Sequence, residues 1–241
     1  MNHEDENKTI YLYGDGIGKV QLIESYGSDK SVVNSARVSF GKHKEELDER
    51  DKKLINYLIK HRHTSTLEHC GITFKFVVPL YVRSQHHRHR TWSYNEISRR
   101  YTDVNIQFYE PKAFRTQHKS NRQASNAEEL INPPIESIGG AAMFAILPAS
   151  DIVKNFHQNA LRGYNLLIEA GVCREQARGV LPQNLYTEYY GTCSLLNALK
   201  FISLRSHEGA QWEIRKVAEA MLEILEDLYP VTIAAYKEHN W

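Results

Sequence analysis

"GITFKFVVPLYVRSQHHRHRTWSYNEISRR", residues 71–100, changes its backbone period twice. Ile72, Phe74, Phe76 and Val78 alternate along its start, the pattern of a strand with one buried side. Pro79 suits the first turn of a helix, which is predicted to run to about His89. From residue 93 the chain reads as extended again, and Glu96, Ser98 and Arg100 would then project to one side. Strand, helix and strand follow one another without a regular βαβ repeat. That order points to an α+β fold around a mostly antiparallel sheet.

The flanks agree with this reading. "TIYLYGDGIGKVQLIESYG" (9–27) reads as two short strands joined by a Gly-Asp-Gly turn, and its glycines have neither the dinucleotide nor the Walker spacing. "SVVNSARVSF" (31–40) is predicted as a short helix ending near Ser39. In 45–63, Leu47, Leu54 and Leu58 fall at helical spacing, with acids early and bases late as the helix dipole favours. Downstream, 108–126 is polar and predicted irregular, and "LINPPIESIGG" (130–140) is predicted as a loop. A long helix over 149–170 should bury Ile152, Val153, Phe156, Ala160, Leu161, Tyr164, Leu167 and Ile168, with Gly171 as its C-terminal cap. "REQARGVLPQ" gives a short helix stopped before Pro182, and 184–190 alternates as a strand. Helices over 194–206 and 210–228 lead to "YPVTIAAYKEH". No repeat and no linker divides two cores, so residues 1–241 are expected to form a single domain.

Bulk composition narrows the function classes. The chain has 241 residues and a formal net charge of +1, so any anion site must be local rather than a property of the whole surface. Cys70, Cys173 and Cys193 show no CxxC spacing, which argues against a disulfide framework or a zinc knuckle. "MNHEDENKT" is too polar for a signal peptide, and its Asn7-Lys8-Thr9 sequon reads as chance. No apolar run approaches the ~20 residues of a membrane span. A soluble protein of a reducing compartment, the cytoplasm, is expected.

Four stretches carry chemistry. Residues 85–101 crowd Arg88, Arg90, Arg99 and Arg100 beside His89, Ser98, Glu96 and the rings of Trp92, Tyr94 and Tyr101. A serine donor, an arginine fork and a carboxylate acceptor within ~7 Å along one strand face can hold a phosphate and a polar ring together. On a helix over 79–89, Gln85 and Arg88 would share a face one turn apart and join them. "HRHTSTLEH" (61–69) offers His61, His63 and His69. These suit a helix C-terminus better than a metal shell, because no cysteine or acid is spaced to complete one, while Ser65 and Glu68 can hydrogen-bond a ligand. Arg174 and Arg178 share a helix face in "REQARGVLPQN". Arg205 ends an apolar helix just before "SHEGAQW".

In this order, the stretches resemble the flavin-dependent thymidylate synthases. Arg88, His89, Arg90, Ser93, Asn95, Ser98 and Arg100 fill the places of that family's signature. "ARVSFG" (36–41), "HTSTLEH", "FYEP" followed by "SNRQ", "ARGVLP" and "LRSHEGAQWEI" match as well, over roughly residues 30–230. The resemblance implies reductive methylation of dUMP to dTMP, with methylenetetrahydrofolate giving the carbon and NADPH reducing FAD. It implies a twisted sheet flanked by helices, in a homotetramer whose active sites lie where subunits meet. By position it implies a dUMP site of Gln85, Arg88, Glu96, Ile97, Ser98, Arg99, Arg100, Arg178 and Arg205. Arg205 would stand beside the uracil N3 and favour its ionised form, Ser98 would position rather than attack, and no metal is called for. Flavin contacts would come from Ser39, His63, Ser65, Arg88, His89, Arg90 and Glu96. The family often has an N-x-R pattern with a further Asn or His in the helix before Arg205. Ser194, Leu196 and Lys200 hold those positions here, so Ser194 and Lys200 remain as flavin contacts and Leu196 implies a weakened grip.

Two rival readings use the same residues. Arginines interleaved with Trp92, Tyr94 and Tyr101 can stack the bases of single-stranded nucleic acid. The histidines of 61–69 can suggest a metal hydrolase. The first needs a wider basic surface than a net charge of +1 provides and leaves "HTSTLEH" and "SLRSHEGAQWEI" unexplained, and the second lacks a cysteine or acid to complete a metal shell.

Overall fold

A computed structural model describes residues 8–138 and 144–241. In chain order, the first elements are β1 (Thr9–Tyr11), β2 (Lys19–Tyr26), α1 (Asp29–Arg37), α2 (Glu49–Lys60) and β3 (Gly71–Pro79). Then come α3 (Leu80–His86), β4 (Ser93–Glu96), β5 (Phe114–Gln117), β6 (Ser125–Ile131), β7 (Pro134–Ile138) and β8 (Phe144–Pro148). The rest is α4 (Ala149–Glu169), α5 (Arg174–Ala177), β9 (Tyr186–Ser194), α6 (Leu195–Arg205), α7 (Trp212–Leu228) and α8 (Pro230–Glu238). The described residues group into two units. The first takes the chain through Val77, His86–Asn95 and Glu188–Trp241, and the second takes Val78–Gln85 and Glu96–Thr187.

The first unit carries the main sheet, in the order β1-β2-β3-β9-β4. β1 with β2 and β2 with β3 pair antiparallel, as the alternation predicts. Asp15 shapes the turn between β1 and β2 by accepting from the backbone N–H groups of Ile17 and Gly18 at 2.9 and 3.1 Å. The inward side of β3 is the predicted one: Ile72, Phe74, Phe76 and Val78 are all buried. Where β9 passes this layer only Gly191 fits, because a Cβ there would lie 2.9 Å from the Phe76 ring. α2 starts where Asp48 accepts from the N–H groups of Arg50 and Asp51, a capping box that leaves Leu47 outside the helix. Its buried stripe is therefore Ile55, Leu58 and Ile59, with Leu54 only half-buried. α6 buries Leu195, Leu196, Ala198, Leu199, Phe201 and Ile202 and packs on α7, which makes it the most apolar helix of the core.

The second unit departs further from expectation. β5 and β6 form an antiparallel hairpin where 108–126 reads as irregular, and β7 and β8 form another where 130–140 reads as a loop. β6 is exposed along nearly its whole described length, so burial has left no alternation to read. α3 ends at His86, three residues early, and Arg88 falls in the turn beyond it. α4 spans the predicted helix and ends with Gly171 at φ +88°, where the N–H of Val172 reaches back to Leu167 O at 2.9 Å. Its buried residues are Ala149, His157 and Tyr164, whereas Phe156 is 70% exposed. His157 Nδ1 lies 3.0 Å from Glu110 Oε1, and its ring stacks on Phe108 at 4.8 Å, so the buried place goes to a polar residue outside the expected stripe rather than to its neighbour Phe156. Asn7 of the sequon and the residues before it lie outside the described residues, as do 139–143.

Candidate active site

One cavity of about 610 Å³ lies wholly in the second unit. The ends of three elements frame it. α3 supplies Leu80 and Arg83, the end of β4 supplies Glu96 and the run Ile97, Ser98 and Arg99, and the turn after α5 supplies Arg178 and Gly179. Tyr186 and Thr187 at the start of β9 close the wall.

Extended chain does not continue to residue 100 as expected. The N–H groups of Tyr101 and Thr102 both return to Ser98 O, at 3.0 and 3.1 Å, and Ser98 Oγ accepts from Arg100 N at 3.3 Å. This turn puts Arg99 rather than Arg100 against the cavity, and Arg100 pairs with Glu175 at 3.0 Å. Arg99 is fixed by donating to the carbonyls of Val104 and Asn105 at 2.6 and 3.2 Å, and burial lowers its pKa. Arg178 donates from Nε to Glu175 O at 3.3 Å and makes no ion pair among the described residues. The wall thus holds an arginine in no ion pair among the described residues, with the nearby Glu175 carboxylate engaged by Arg100, beside a serine hydroxyl still free to donate. That arrangement suits an oxyanion.

Of the predicted nucleotide residues, the cavity gathers Glu96, Ile97, Ser98, Arg99 and Arg178, and it does not gather Gln85, Arg88, Arg100 or Arg205. Gln85 is half-buried on α3 and Arg88 is exposed. Arg83 and Thr187 were absent from the sequence reading. Thr187 carried a usable signal, as a small polar residue in register with the buried Tyr189, Gly191 and Cys193.

Arg205 lies in the first unit at the end of α6. Its Nε donates to His89 Nε2 at 3.3 Å, so that ring is neutral with its proton on Nδ1. Burial, with Arg205 adding to it, pushes the His89 pKa down to about 4. Tyr94 clamps the turn that presents the ring, donating to the carbonyls of His86 and His89 at 3.1 and 3.0 Å. His86, fully enclosed, packs behind against Phe201 at 4.6 Å, and its Nδ1 is hydrogen-bonded with the Tyr189 hydroxyl at 2.8 Å. Burial holds its pKa well below the ordinary value.

The remaining predicted flavin residues of the first unit are mostly exposed: Ser39, His63, Ser65, Arg88, Arg90 and Lys200. Ser194 caps α6 by accepting from Asn197 N. Lys200 lines a second cavity, about 400 Å³, with Arg62, Thr64, His207 and Trp241, and Arg62 lies 5.9 Å above the Trp241 ring. Cations with no ion pair among the described residues, beside an indole, fit a phosphate-bearing aromatic cofactor such as a flavin dinucleotide. Leu196 is 3% exposed, so it belongs to the core and its apolar side chain is required there. Of the three rings of a base-stacking platform over 88–101 only Tyr101 is open, at 78% exposure, because Trp92 is buried and Tyr94 packs against His87 and Trp92 at 4.1 and 6.1 Å. Among the described residues, no group of His, Cys, Asp or Glu gathers to hold a metal ion, and no helix is long and apolar enough to cross a membrane.

A mixed α+β fold with a cavity walled by arginines and a serine suits an enzyme acting on a phosphorylated ligand, and comparison with known proteins is specific about the family. Residues 21–231 match the family model described as thymidylate synthase complementing protein. The chain is 41% identical over 222 residues to the flavin-dependent thymidylate synthase of Thermus thermophilus, covering 92% of this chain and 76% of that one. It is 33% identical to that of Thermosipho melanesiensis, covering 93% and 92%. Among solved structures, the UMP/dUMP methylase PolB from Streptomyces cacaoi bound with 5-Br dUMP superposes with a TM-score of 0.76. There the identity is 31%, and 96% of this chain and 98% of that one are covered. The chain belongs to the flavin-dependent thymidylate synthase family.

Proposed function

We propose that this chain reductively methylates dUMP to dTMP, as a single domain over residues 1–241. The observation that carries the reading is the cavity in which Arg178, in no ion pair among the described residues, faces the same space as Ser98 and Arg99. These groups receive the nucleotide phosphate, Arg178 and Arg99 as planar forks and Ser98 as a neutral donor. Glu96 supplies an acceptor, and Ser98 positions the ligand without forming a bond to it. Gln85, Arg88 and Arg100 add to the nucleotide site, and Arg205 favours the ionised pyrimidine ring by fixed positive charge. Ser39, His63, Ser65, Arg88, His89, Arg90, Glu96, Ser194 and Lys200 hold FAD. The bound flavin supplies the hydride chemistry. Methylenetetrahydrofolate is the carbon donor, NADPH the reductant, and the working form a cytoplasmic homotetramer whose active sites are shared between subunits.

The test is direct. Purified protein with FAD, NADPH, methylenetetrahydrofolate and dUMP should form dTMP, and omission of any one should stop it. No dTMP from the complete mixture would overturn the reading. Running the same assay with UMP shows whether a ribose is accepted, as the name of the Streptomyces relative states for that protein.

A further inference from the structure

Two carboxylates line the cavity of the second unit: Glu175 is paired with Arg100 at 3.0 Å, and Glu96 uses its two oxygens differently. Glu96 Oε1 accepts twice, from Thr187 Oγ1 at 2.6 Å and from Arg83 Nε at 3.1 Å. Glu96 Oε2 accepts from nothing among the described residues. Thr187 is 4% exposed, so this hydroxyl has been taken out of water to serve the carboxylate. A polar group is buried at that cost only when its partner is fixed.

We propose that Thr187 and Arg83 are positioning residues for substrate recognition: by holding Oε1, they keep Glu96 from Arg178 and leave Oε2 as an acceptor for a sugar hydroxyl. The proposal rests on reading this cavity as the dUMP site. Electrostatics gives the reason for two holders. Glu96 lines the same cavity as Arg178, and the two form no ion pair. A carboxylate free to turn would be drawn to that arginine and would cancel the charge awaiting the phosphate. Two donors on one oxygen prevent the turn, because rotation about the last side-chain bond breaks both bonds together. The cation is thereby reserved for the anionic end of the ligand. The open oxygen is reserved for a donor, and dUMP has one on its sugar, the 3′-hydroxyl.

The experiment compares dUMP with 2′,3′-dideoxyuridine 5′-monophosphate, which keeps the phosphate and the base and lacks only that hydroxyl. Binding of both to flavin-loaded protein is measured by calorimetry. The wild-type protein should prefer dUMP by about 10- to 100-fold, the worth of a hydrogen bond to a charged group. Thr187→Val keeps the side-chain shape and removes the hydroxyl, and the preference should fall to roughly 3-fold or less. Thr187→Ser should restore it. Arg83→Met is the second variant should Thr187→Val fail to fold. It weakens phosphate attraction for both nucleotides alike, so the ratio still reports on Glu96. If wild type binds dUMP and the dideoxy nucleotide equally, or if Thr187→Val and Arg83→Met keep the full preference, the proposal is overturned while the site reading stands. If wild type binds neither nucleotide, the site reading itself falls and this proposal with it.

Discussion

Arg205 has a neutral imidazole for its neighbour, and the chemistry proposed for it depends on that neutrality. A protonated His89 would lose its acceptor lone pair and repel the guanidinium. Burial together with Arg205 prevents this by holding the His89 pKa near 4, below the ordinary 6.5. The sign follows from linkage. The unfolded chain takes up this proton near pH 6.5 and the folded chain only near pH 4. The contribution to stability is therefore complete above pH 6.5 and is lost progressively as the pH falls towards 4. Urea midpoints measured over that window should fall less steeply in His89→Gln than in wild type, and equal slopes would refute the assignment. Arg205→Ala should lower dTMP formation by orders of magnitude in a folded protein, and Arg205→Lys should recover only part, since a point charge replaces a planar fork. A variant that merely melted earlier and kept its rate would reduce Arg205 to a charge ending α6. Arg178→Ala should weaken dUMP binding about 10- to 100-fold by calorimetry and leave flavin reduction by NADPH nearly unchanged. Ser98 and Arg178, which line one cavity, stood out in the sequence through the family motifs that contain them, since Arg178 by itself looks like a solvated helix arginine. Arg83 did not, because an arginine that serves through a carboxylate looks like any solvated helix arginine.

Among elements, α8 depends on a residue far from it in the chain. Its first turn, opened by Pro230, leaves donor groups without partners inside the helix. Asp29, at the start of α1, accepts from the N–H groups of Val231 and Thr232, each at 2.9 Å, and from the Thr232 hydroxyl at 2.6 Å. Asp29 and Thr232 are both buried, so removing the carboxylate strands these donors without water. Asp29→Ala should cost about 1–3 kcal/mol in urea unfolding, with Asp29→Asn milder, and an unchanged midpoint would refute the cap. No local pattern announces such a tie, because helix caps are read from sequence neighbours and this one spans most of the chain. β3, α4 and α6 were legible because one continuous apolar face imprints a period on each. The hairpins β5–β6 and β7–β8 were missed because their described side chains are mostly exposed and carry no such imprint. α3 was predicted too long because His86 and His89 look polar in sequence, while His86 packs among Phe76, Trp92 and Phe201 at 4.7, 4.6 and 4.6 Å.

On the scale of the whole molecule, both units leave large apolar side chains open to solvent. In the first, Val38 and Phe40 are 73% and 77% exposed; in the second, Ile146 and Phe156 are 69% and 70% exposed. Phe156 stands on α4, a helix whose sequence asks for a wider buried face than Ala149, His157 and Tyr164 occupy. Burying such a side chain is worth about 1.5–3 kcal/mol, and leaving several exposed invites association. The homotetramer proposed above gives them a place. Sedimentation equilibrium should then return four times the 27.9 kDa of one chain. Phe156→Asp should yield a smaller species, because a charge cannot be buried unpaired in an apolar contact. With active sites shared between subunits, that smaller species should stay folded by circular dichroism and lose dTMP formation. Higher protein concentration should restore part of the rate. A wild-type protein that sediments as one chain while making dTMP would overturn both the tetramer and the shared site. A Phe156→Asp variant that remains tetrameric would remove α4 from the interface and leave the tetramer in place.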